Sequence, residues 1–167
     1  MAPINLKTVD ELKPQVQRII SQLSAQLEAL FPDIELHHIG ATAIPGALTK
    51  GDVDVLLRVS GARFFAVVDV LKRHFTIKQP DNWTPDFASF GDDTSFALPV
   101  GIQVVVKDSE NDFLLFFRDH FISHPAALAE YNRLKTTHAA EGPEGYWKAK
   151  DQFLEKILLS RSTNHTK

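Results

Sequence analysis

A regular spacing of apolar residues marks the first part of the chain as an amphipathic helix. These residues recur at three- and four-residue steps, which places them on one helical face. They are Val16, Ile19, Ile20, Leu23, Leu27 and Leu30. Thr8 and Glu11 have the spacing of a capping box, but a helix that started there would have to continue through Pro14. We therefore predict a short turn, followed by a helix that has Pro14 in its first turn and ends near Leu30.

The middle of the chain carries short apolar runs, which are typical of strands. We predict strands at residues 34–39, 52–59, 75–78, 94–98 and 101–106, and a short strand near 87–90 inside the otherwise irregular segment 79–93. A helix is predicted between the second and third strands, from about residue 62 to residue 74. Its core-facing residues are predicted to be Phe64, Phe65, Val68 and Leu71.

Three helices are predicted to close the chain. The first covers residues 109–123, and the others begin near Pro125 and Pro143, because proline is favoured at the first position of a helix. Residues 160–167 are polar, and we expect this end to be frayed. Strands in the middle and helices at both ends indicate one sheet covered by helices. The fold class is α+β with α/β layers, in a single domain over residues 1–167.

The composition is that of an ordinary globular protein. The 167 residues are 44% hydrophobic, and 18 Lys and Arg residues are balanced by 21 Asp and Glu residues, which indicates no bulk nucleic-acid or membrane-surface partner. The absence of cysteine excludes disulfides, thiolate zinc sites and thiol catalysis. The N-terminus lacks the apolar core of a signal peptide, and no apolar run reaches the roughly 20 residues that span a bilayer. We therefore expect a cytoplasmic protein.

Residues 34–59 hold the strongest candidate site, because a strand, a Gly-Ala-Thr turn, a loop and a second strand follow one another. Asp52 and Asp54 lie two residues apart on the second strand, so both carboxylates leave the same face, with Cα atoms about 6.5 Å apart. Such a pair could bind Mg²⁺ together with substrate phosphates. The alternative is a pair of solvated carboxylates at the exposed start of a strand.

Gly40, Ala41 and Thr42 follow the first strand directly. A glycine there lets a ligand approach the backbone closely, successive turn N–H groups can hold an anion, and Thr42 adds a hydroxyl donor. A plain turn at the end of a strand would have the same composition. A phosphate site beside a metal ion is indicated because the turn and the strand with the two carboxylates follow one another closely along the chain.

These residues resemble the signature of the GrpB family, also called UPF0157. The stretch H-H-I-G-A-T-A-I-P-G-A-L-T-K-G-D-V-D-V at 37–55 is similar to the family pattern H-I-G-S-T-x-V-P-G-L-x-x-K-P-x-x-D. Downstream, F-R-D-H-F-I-S-H-P at 117–125, Y-N-R-L-K at 131–135 and Y-W-K-A-K at 146–150 resemble the family's F-R-D-Y-L-x-x-H-P, Y-x-x-L-K and Y-x-x-x-K. The resemblance covers most of the chain, from about residue 36 to residue 158.

The resemblance implies a nucleotidyltransferase-like fold, in which helices flank a mixed sheet and a helical part follows at the C-terminus. The Asp-x-Asp, which is typical of nucleotidyltransferases, implies Mg²⁺ held by catalytic Asp52 and Asp54, with a nucleotide or another phosphate-bearing small molecule as ligand. Three departures from the family patterns bear on this. Gly51 and Asp52 stand where GrpB proteins commonly have proline and an aliphatic residue, so this chain has the fuller Asp-x-Asp. Ala41 replaces the usual serine of the turn, and a later strand offers Gln103 where nucleotidyltransferases typically have a third carboxylate. A third acid would have to come from elsewhere, for instance from Asp92, Asp93 or Asp108.

Four cationic residues are candidates for phosphate binding. Lys50 belongs to the matched signature. Arg118 follows a phenylalanine pair, and its partner is either Asp119 or a substrate phosphate. Lys135 and Lys150 lie on predicted helices, where a solvated helix face is the alternative to a phosphate contact.

Tyr131 and Tyr146 lie on apolar stripes and are predicted to be core residues, although a base could stack on either. His37 and His38 are adjacent on a strand and therefore face opposite sides. Because no H-E-x-x-H or equivalent motif is present either, we predict no histidine metal site.

Two functions remain open. The first is Mg²⁺-dependent nucleotidyl or phosphoryl transfer to an unknown acceptor, in which residues 40–42 bind phosphate and the cationic side chains neutralise developing charge. The alternative is a non-catalytic module that kept the fold and binds a nucleotide, a CoA-related phosphate ester or a protein partner. The complete Asp-x-Asp favours the first, whereas Ala41 and the missing third acid favour the second. A purely structural partner protein would show no dependence on metal.

Overall fold

The computed structural model describes residues 2–164, with side chains as far as residue 161. Its helices are α1 (Val9–Leu30), α2 (Phe64–His74), α3 (Leu114–Ser123), α4 (Pro125–Ala139) and α5 (Pro143–Asn164). Its strands are β1 (Lys7–Thr8), β2 (Glu35–Ile39), β3 (Leu48–Thr49), β4 (Val53–Val59), β5 (Thr76–Lys78), β6 (Phe87–Asp92) and β7 (Val100–Val106). Short 3-10 helices lie at Ala41–Ala43 and Pro80–Asn82. Among the described helices, none combines the length and the apolar character needed to cross a membrane.

Five of the strands form one mixed sheet, in the order β2-β4-β7-β6-β5. The central strands β4 and β7 are parallel, and every other neighbouring pair in this sheet is antiparallel. β1 and β3 form a separate two-stranded pair that was not predicted. The predicted α+β fold with helices around a mixed sheet is confirmed.

The two faces of the sheet have different characters. One face is continuously apolar and packs against α1 and α2, because alternate residues of each strand point to the same side. Its buried residues are Val53, Val55, Leu57, Val59, Ala88, Phe90, Val100, Ile102 and Val104. The opposite face carries Asp54 and Gln103 as well as a small apolar cluster in which Leu56 packs near α3. The predicted site residue Asp54 therefore lies on this second face.

Helix α1 begins earlier than predicted. Thr8 is its N-cap, since the Thr8 hydroxyl accepts a hydrogen bond from the Glu11 N–H at 3.3 Å and the Glu11 carboxylate accepts one from the Thr8 N–H at 3.4 Å. Pro14 lies inside the helix and cannot donate to the carbonyl of Asp10. Both of these residues are exposed, so water can satisfy that carbonyl. The prediction that Pro14 lies in the first turn of the helix was wrong, because the capping box stabilises an earlier start by more than the one hydrogen bond lost at Pro14.

The strand predicted at residues 94–98 is absent, and β6 instead continues to Asp92. The Asp92 carboxylate accepts hydrogen bonds from the N–H groups of Thr94 and Ser95, both at 2.9 Å. These bonds turn the chain directly after β6. Residues 93–98 therefore form bends rather than a ladder with a neighbouring strand.

Helix α3 begins at Leu114, later than predicted. Asp112 lies in the turn before it, where it accepts a hydrogen bond from the Asp108 N–H at 2.8 Å. The same carboxylate accepts from Arg58 Nη2 at 2.7 Å, and Arg58 Nη1 donates to Glu35 of β2 at 2.9 Å. This ion-pair network holds the turn against β2 and β4, which delays the start of the helix.

Two predictions about the helices need correction. Phe65 is 64% exposed, whereas its neighbour Phe64 is 2% exposed and Val67 takes a core position on α2. The prediction that Phe65 faces the core was therefore wrong, whereas Phe64, Val68 and Leu71 are buried as predicted. Helix α5 continues through residue 160 to Asn164, where we expected a frayed end, and residues 165–167 lie outside the described residues.

The adjacent phenylalanines of α2 provide a test of the fold. Phe64→Ala is expected to lower the free energy of unfolding by about 3–5 kcal/mol, because it removes a buried aromatic ring from the main core. Phe65→Ala, the matched control, is expected to change it by less than about 1 kcal/mol, because that ring lies mostly in solvent. Urea denaturation followed by circular dichroism measures both values. Equal losses in the two variants would contradict the orientation of α2.

Candidate functional site

A cleft of about 610 Å³ opens on the polar face of the sheet. Residues of β4, β6 and β7 form its floor, and the segment after β2 together with α3, α4 and α5 forms its walls. Eight of the nine residues predicted for the site line this cleft. They are Gly40, Ala41, Lys50, Asp52, Asp54, Arg118, Lys135 and Lys150. The fold thus brings carboxylates from the centre of the chain together with cationic residues from its C-terminal helices.

Asp54 lies at the floor of the cleft, where two glycines make room for its carboxylate. It pairs with Ile39 of β2 on one side and with Gly101 of β7 on the other. A Cβ atom at Gly40 would lie 2.7 Å from Asp54 Oδ2, and a Cβ atom at Gly101 would overlap Asp54 Oδ1. Gly40 also has φ of +75°, which favours glycine. A side chain at either glycine would displace the carboxylate.

The carboxyl group of Asp54 has an unusual affinity for protons. Burial, with a smaller contribution from the neighbouring Asp52 carboxylate, raises its pKa to about 6. The ammonium groups of Lys150 and Lys50 and a hydrogen bond from Gln103 act in the opposite direction. Removal from water is thus the main cause, as expected for a charged group on a partly closed surface.

Lys135 of α4 is the most buried cation of the cleft, with only 2% of its surface exposed. Its Nζ donates a hydrogen bond to the Leu48 carbonyl at 2.8 Å and lies 4.2 Å from the centre of the Tyr131 ring. Burial, with smaller contributions from the ammonium groups of Lys150 and Lys50, lowers its pKa to about 7. No carboxylate is among the groups that determine this pKa. The solvated-face alternative for Lys135 does not fit this environment.

Lys150 of α5 lies between the aromatic and the acidic residues of the cleft. Its Nζ is 4.6 Å from the Trp147 ring centre and 5.3 Å from that of Tyr146. Burial and the charge of Lys50 lower the pKa of Lys150 to about 8, although Asp54 favours the charged form. The positive charges therefore repel one another inside the cleft, which is typical of a site that receives an anion.

Trp147 is a cleft residue that the sequence reasoning missed. The ring is 41% exposed, and Lys50 Nζ lies 4.1 Å from its centre. Trp147 precedes Lys150 by three residues, which places both side chains on one side of α5. This spacing could have identified Trp147 as a neighbour of the predicted site residue Lys150. Tyr131 and Tyr146 are buried as predicted for core residues, and both also line the cleft.

Thr42 is the one predicted site residue that does not line the cleft. It is buried, and its Oγ1 lies 2.9 Å from His38 Nε2, so its hydroxyl has a partner within the protein. Burial lowers the pKa of His38 to about 4, with a further contribution from the nearby Arg118 charge. The neutral His38 ring and Thr42 together hold the turn that carries Gly40 and Ala41.

Arg118 of α3 is held by the protein on two sides. Its Nε and Nη2 atoms each lie 2.9 Å from Asp119 Oδ1, and its Nη1 donates to the His38 carbonyl at 3.1 Å. The ion pair with Asp119 is one of the two partners that the sequence left open. Arg118 links α3 to β2 in this arrangement and still borders the cleft.

The donor set of the cleft fits one Mg²⁺ ion. Mg²⁺ is commonly bound by one or two carboxylates and completed by water and substrate phosphates, which Asp52 and Asp54 match. Among the described residues, no group of three or more acidic or histidine side chains is arranged to hold a metal. Asp93 borders the cleft, where it forms an ion pair with Lys78. A two-metal arrangement with three carboxylates does not fit these residues.

Gln103 lies on β7 beside Asp54, where a third carboxylate would otherwise be expected. It donates a hydrogen bond to Asp54, and its Oε1 is buried without a hydrogen-bond partner among the described residues. Asp108 pairs instead with Arg58 at 3.7 Å, outside the cleft lining, and Asp92 closes the turn after β6. Gln103 therefore supplies an amide next to Asp54 rather than a third acid.

The raised pKa of Asp54 predicts that the ionised carboxylate destabilises the folded protein and that its replacement by a neutral side chain is stabilising at high pH. The folded state holds the proton more tightly than the unfolded chain, so the free energy of unfolding falls as pH rises from about 4 to about 6. Asp54→Asn removes this loss and is expected to stabilise the protein by on the order of 2 kcal/mol at pH 8, and by much less near pH 4. Asp52→Asn, the control, is expected to change stability less. Urea denaturation across pH 4–8 measures the effect, and a gain independent of pH would contradict it.

The comparisons with known proteins agree with the motifs. The GrpB protein family model matches residues 7–160 of the chain. A UPF0157 protein from Vibrio cholerae is 32% identical over 154 residues, which cover 89% of this chain and 79% of that protein. A UPF0157 protein from Halalkalibacterium halodurans is 26% identical over 161 residues, which cover 90% of this chain and 80% of that protein.

Solved structures agree at the level of the fold. The conserved protein GrpB from Enterococcus faecalis superposes with a TM-score of 0.65 and 18% identity over 87% of this chain and 96% of that chain. The Cid1 poly(U) polymerase superposes with a TM-score of 0.52 and 16% identity, over 77% of this chain and 41% of that chain. The fold is therefore nucleotidyltransferase-like. Because the family model spans nearly the whole chain and a UPF0157 relative is 32% identical over most of it, the chain belongs to the GrpB family.

Proposed function

We propose that the cleft binds a nucleotide, or a related phosphate ester, together with one Mg²⁺ ion and transfers a nucleotidyl or phosphoryl group to an acceptor. The observation that carries this proposal is the convergence of three ammonium groups and two carboxylates in one cleft. The ammonium groups belong to Lys50, Lys135 and Lys150, and the carboxylates to Asp52 and Asp54. Phosphate binding needs positive charge, and group transfer depends mainly on positioning and electrostatic stabilisation.

The lysines supply the positive charge for the phosphates. The ammonium groups of Lys150 and Lys50 lower the pKa of Lys135, and the ammonium group of Lys50 lowers the pKa of Lys150. A bound phosphate would offset this repulsion and would raise the pKa of both buried lysines. Anion binding in the cleft is therefore favoured by charges that the fold already forces together.

Asp52 and Asp54 would hold the metal ion. Mg²⁺ bound there would neutralise negative charge on the phosphates and orient them. Gly40 and Gly101 keep Asp54 in place, and the hydrogen bond from Gln103 favours its ionised form. Lys150 borders the same region of the cleft, where it would stabilise charge that develops on the transferred group.

A second candidate function is a binding module that does not catalyse transfer. Gln103 favours this function, because it places an amide, which cannot act as a base, beside Asp54 where a third carboxylate would otherwise lie. Ala41 also removes a hydroxyl donor from the turn beside Asp54. Both functions require the same ligand in the same cleft, so binding is the first property to measure and turnover the second.

The proposal predicts metal-dependent binding of a nucleotide. Calorimetry with a panel of nucleoside triphosphates is expected to show tighter binding with Mg²⁺ than without it, since the carboxylates and the phosphates share the ion. Asp52→Asn and Asp54→Asn are each expected to weaken the Mg²⁺-dependent binding about tenfold or more, without unfolding the protein. Asp69→Asn, at an exposed position on α2, is the matched control. Unchanged binding in the Asp52→Asn, Asp54→Asn double variant would remove both carboxylates from the mechanism.

Turnover separates the two candidate functions. Release of pyrophosphate or transfer of label from a nucleotide to an acceptor would support the transferase. The binding module would be supported instead if the nucleotide binds tightly and with metal dependence, but no pyrophosphate is released and no label is transferred. This test would include a broad panel of hydroxyl- and amine-bearing acceptors.

The lysine cluster predicts anion binding that does not require metal. Lys150→Met is expected to weaken pyrophosphate binding in the absence of metal about fivefold or more, because it removes one charge that the anion would neutralise. Lys148→Met is the matched control, since Lys148 is exposed on the same helix and borders a separate groove between α4 and α5. Calorimetry at low and moderate salt measures both variants. An equal effect of the two substitutions would contradict the assignment of the cleft as the anion site.

A further inference from the structure

Lys50 occupies a special position relative to the two carboxylates. It lies in the turn between β3 and β4, and its Nζ is 3.3 Å from Asp52 Oδ2. The Trp147 ring lies on another side of the same ammonium group, 4.1 Å from it. A carboxylate that would ligate Mg²⁺ is therefore already paired with a cation of the protein.

The backbone of this turn fixes the pairing. Gly51, between the two residues, is buried with φ of +108°, a conformation that favours glycine. Its N–H donates to the hydroxyl of the buried Thr49 at 3.0 Å. Lys50 and Asp52 thus lie on either side of the constrained Gly51, and the local backbone conformation brings their side chains together.

The charges of the cleft make a free metal ion a poor ligand. In their ionised forms, Lys50, Lys135 and Lys150 outnumber Asp52 and Asp54 by one positive charge. A divalent ion that entered alone would add two more positive charges and would have to displace Lys50 from Asp52. A polyphosphate that enters with the ion brings negative charge and offers Lys50 a new partner.

We propose that Lys50 makes the cleft selective for the magnesium complex of a polyphosphate over free metal ion. It neutralises Asp52 in the absence of ligand and passes to a phosphate group when the complex binds. Asp52 is thereby released to the metal only when phosphate is present. The inference rests on the proposed function and adds to it the chemical form of the ligand, a metal–polyphosphate complex, and the residue that selects it.

The inference predicts opposite effects of one substitution on two ligands. Lys50→Met is expected to strengthen the binding of free Mn²⁺, used as a paramagnetic substitute for Mg²⁺, about fivefold, because the competing ion pair is gone. The same variant is expected to weaken the binding of metal-free pyrophosphate about fivefold, because one phosphate partner is lost. Water-proton relaxation measures the first affinity and calorimetry measures the second.

Two further variants make the experiment specific to Lys50. Lys150→Met is expected to weaken pyrophosphate binding in the same way, but to strengthen Mn²⁺ binding clearly less, because Lys150 forms no ion pair with Asp52 within 4.0 Å among the described residues. Lys148→Met is expected to change neither affinity. Unchanged Mn²⁺ affinity in Lys50→Met, or a rise equal to that in Lys150→Met, would overturn the role of Lys50. Absence of pyrophosphate binding to the unmodified protein would instead contradict the proposed function itself.

Discussion

The placement of one carboxylate on the floor of the sheet governs the rest of the site. Asp54 lies on a central strand, where its neighbours on both sides are strands rather than solvent, and burial raises its pKa to about 6. A charged group in such a place needs room and compensating charge. Gly40 and Gly101 give it room, and Gln103 and the lysines give it compensation. All of these features are explained by the need to accommodate that carboxylate.

The compensating charge depends on the packing of the C-terminal helices. Phe121 of α3, Tyr131 of α4 and Phe153 of α5 form a stack, with ring centres 4.8 Å apart between the first two and 5.2 Å apart between the last two. The stack fixes three helices relative to one another. Tyr131 lies one helical turn before Lys135, so the packing of this aromatic stack also sets the position of a buried ammonium group in the cleft.

The two candidate functions differ in what they require beyond binding. Both use the lysines and the Asp52–Asp54 pair, but transfer also requires a group that accepts a proton from the acceptor or lowers its pKa. Gln103 cannot act as a base, and its unpaired Oε1 can only accept a hydrogen bond. Membership of the GrpB family and the nucleotidyltransferase-like fold are compatible with either function, because a fold does not by itself determine chemistry.

The sequence determined what depends on short-range pattern, and the tertiary structure decided what depends on neighbours distant in the chain. Periodicity was enough to identify the α1 stripe and most strands, and the Asp-x-Asp spacing singled out the two carboxylates, since these signals are local. The strand predicted at 94–98 does not form, and α3 starts later than the predicted residue 109, because side chains of Asp92 and Asp112 turn the backbone, which periodicity does not register. The environment of Lys135, the contact of Lys50 with Trp147 and the enclosure of Thr42 could not be predicted either. Burial and the proximity of charges arise only when separate elements pack together.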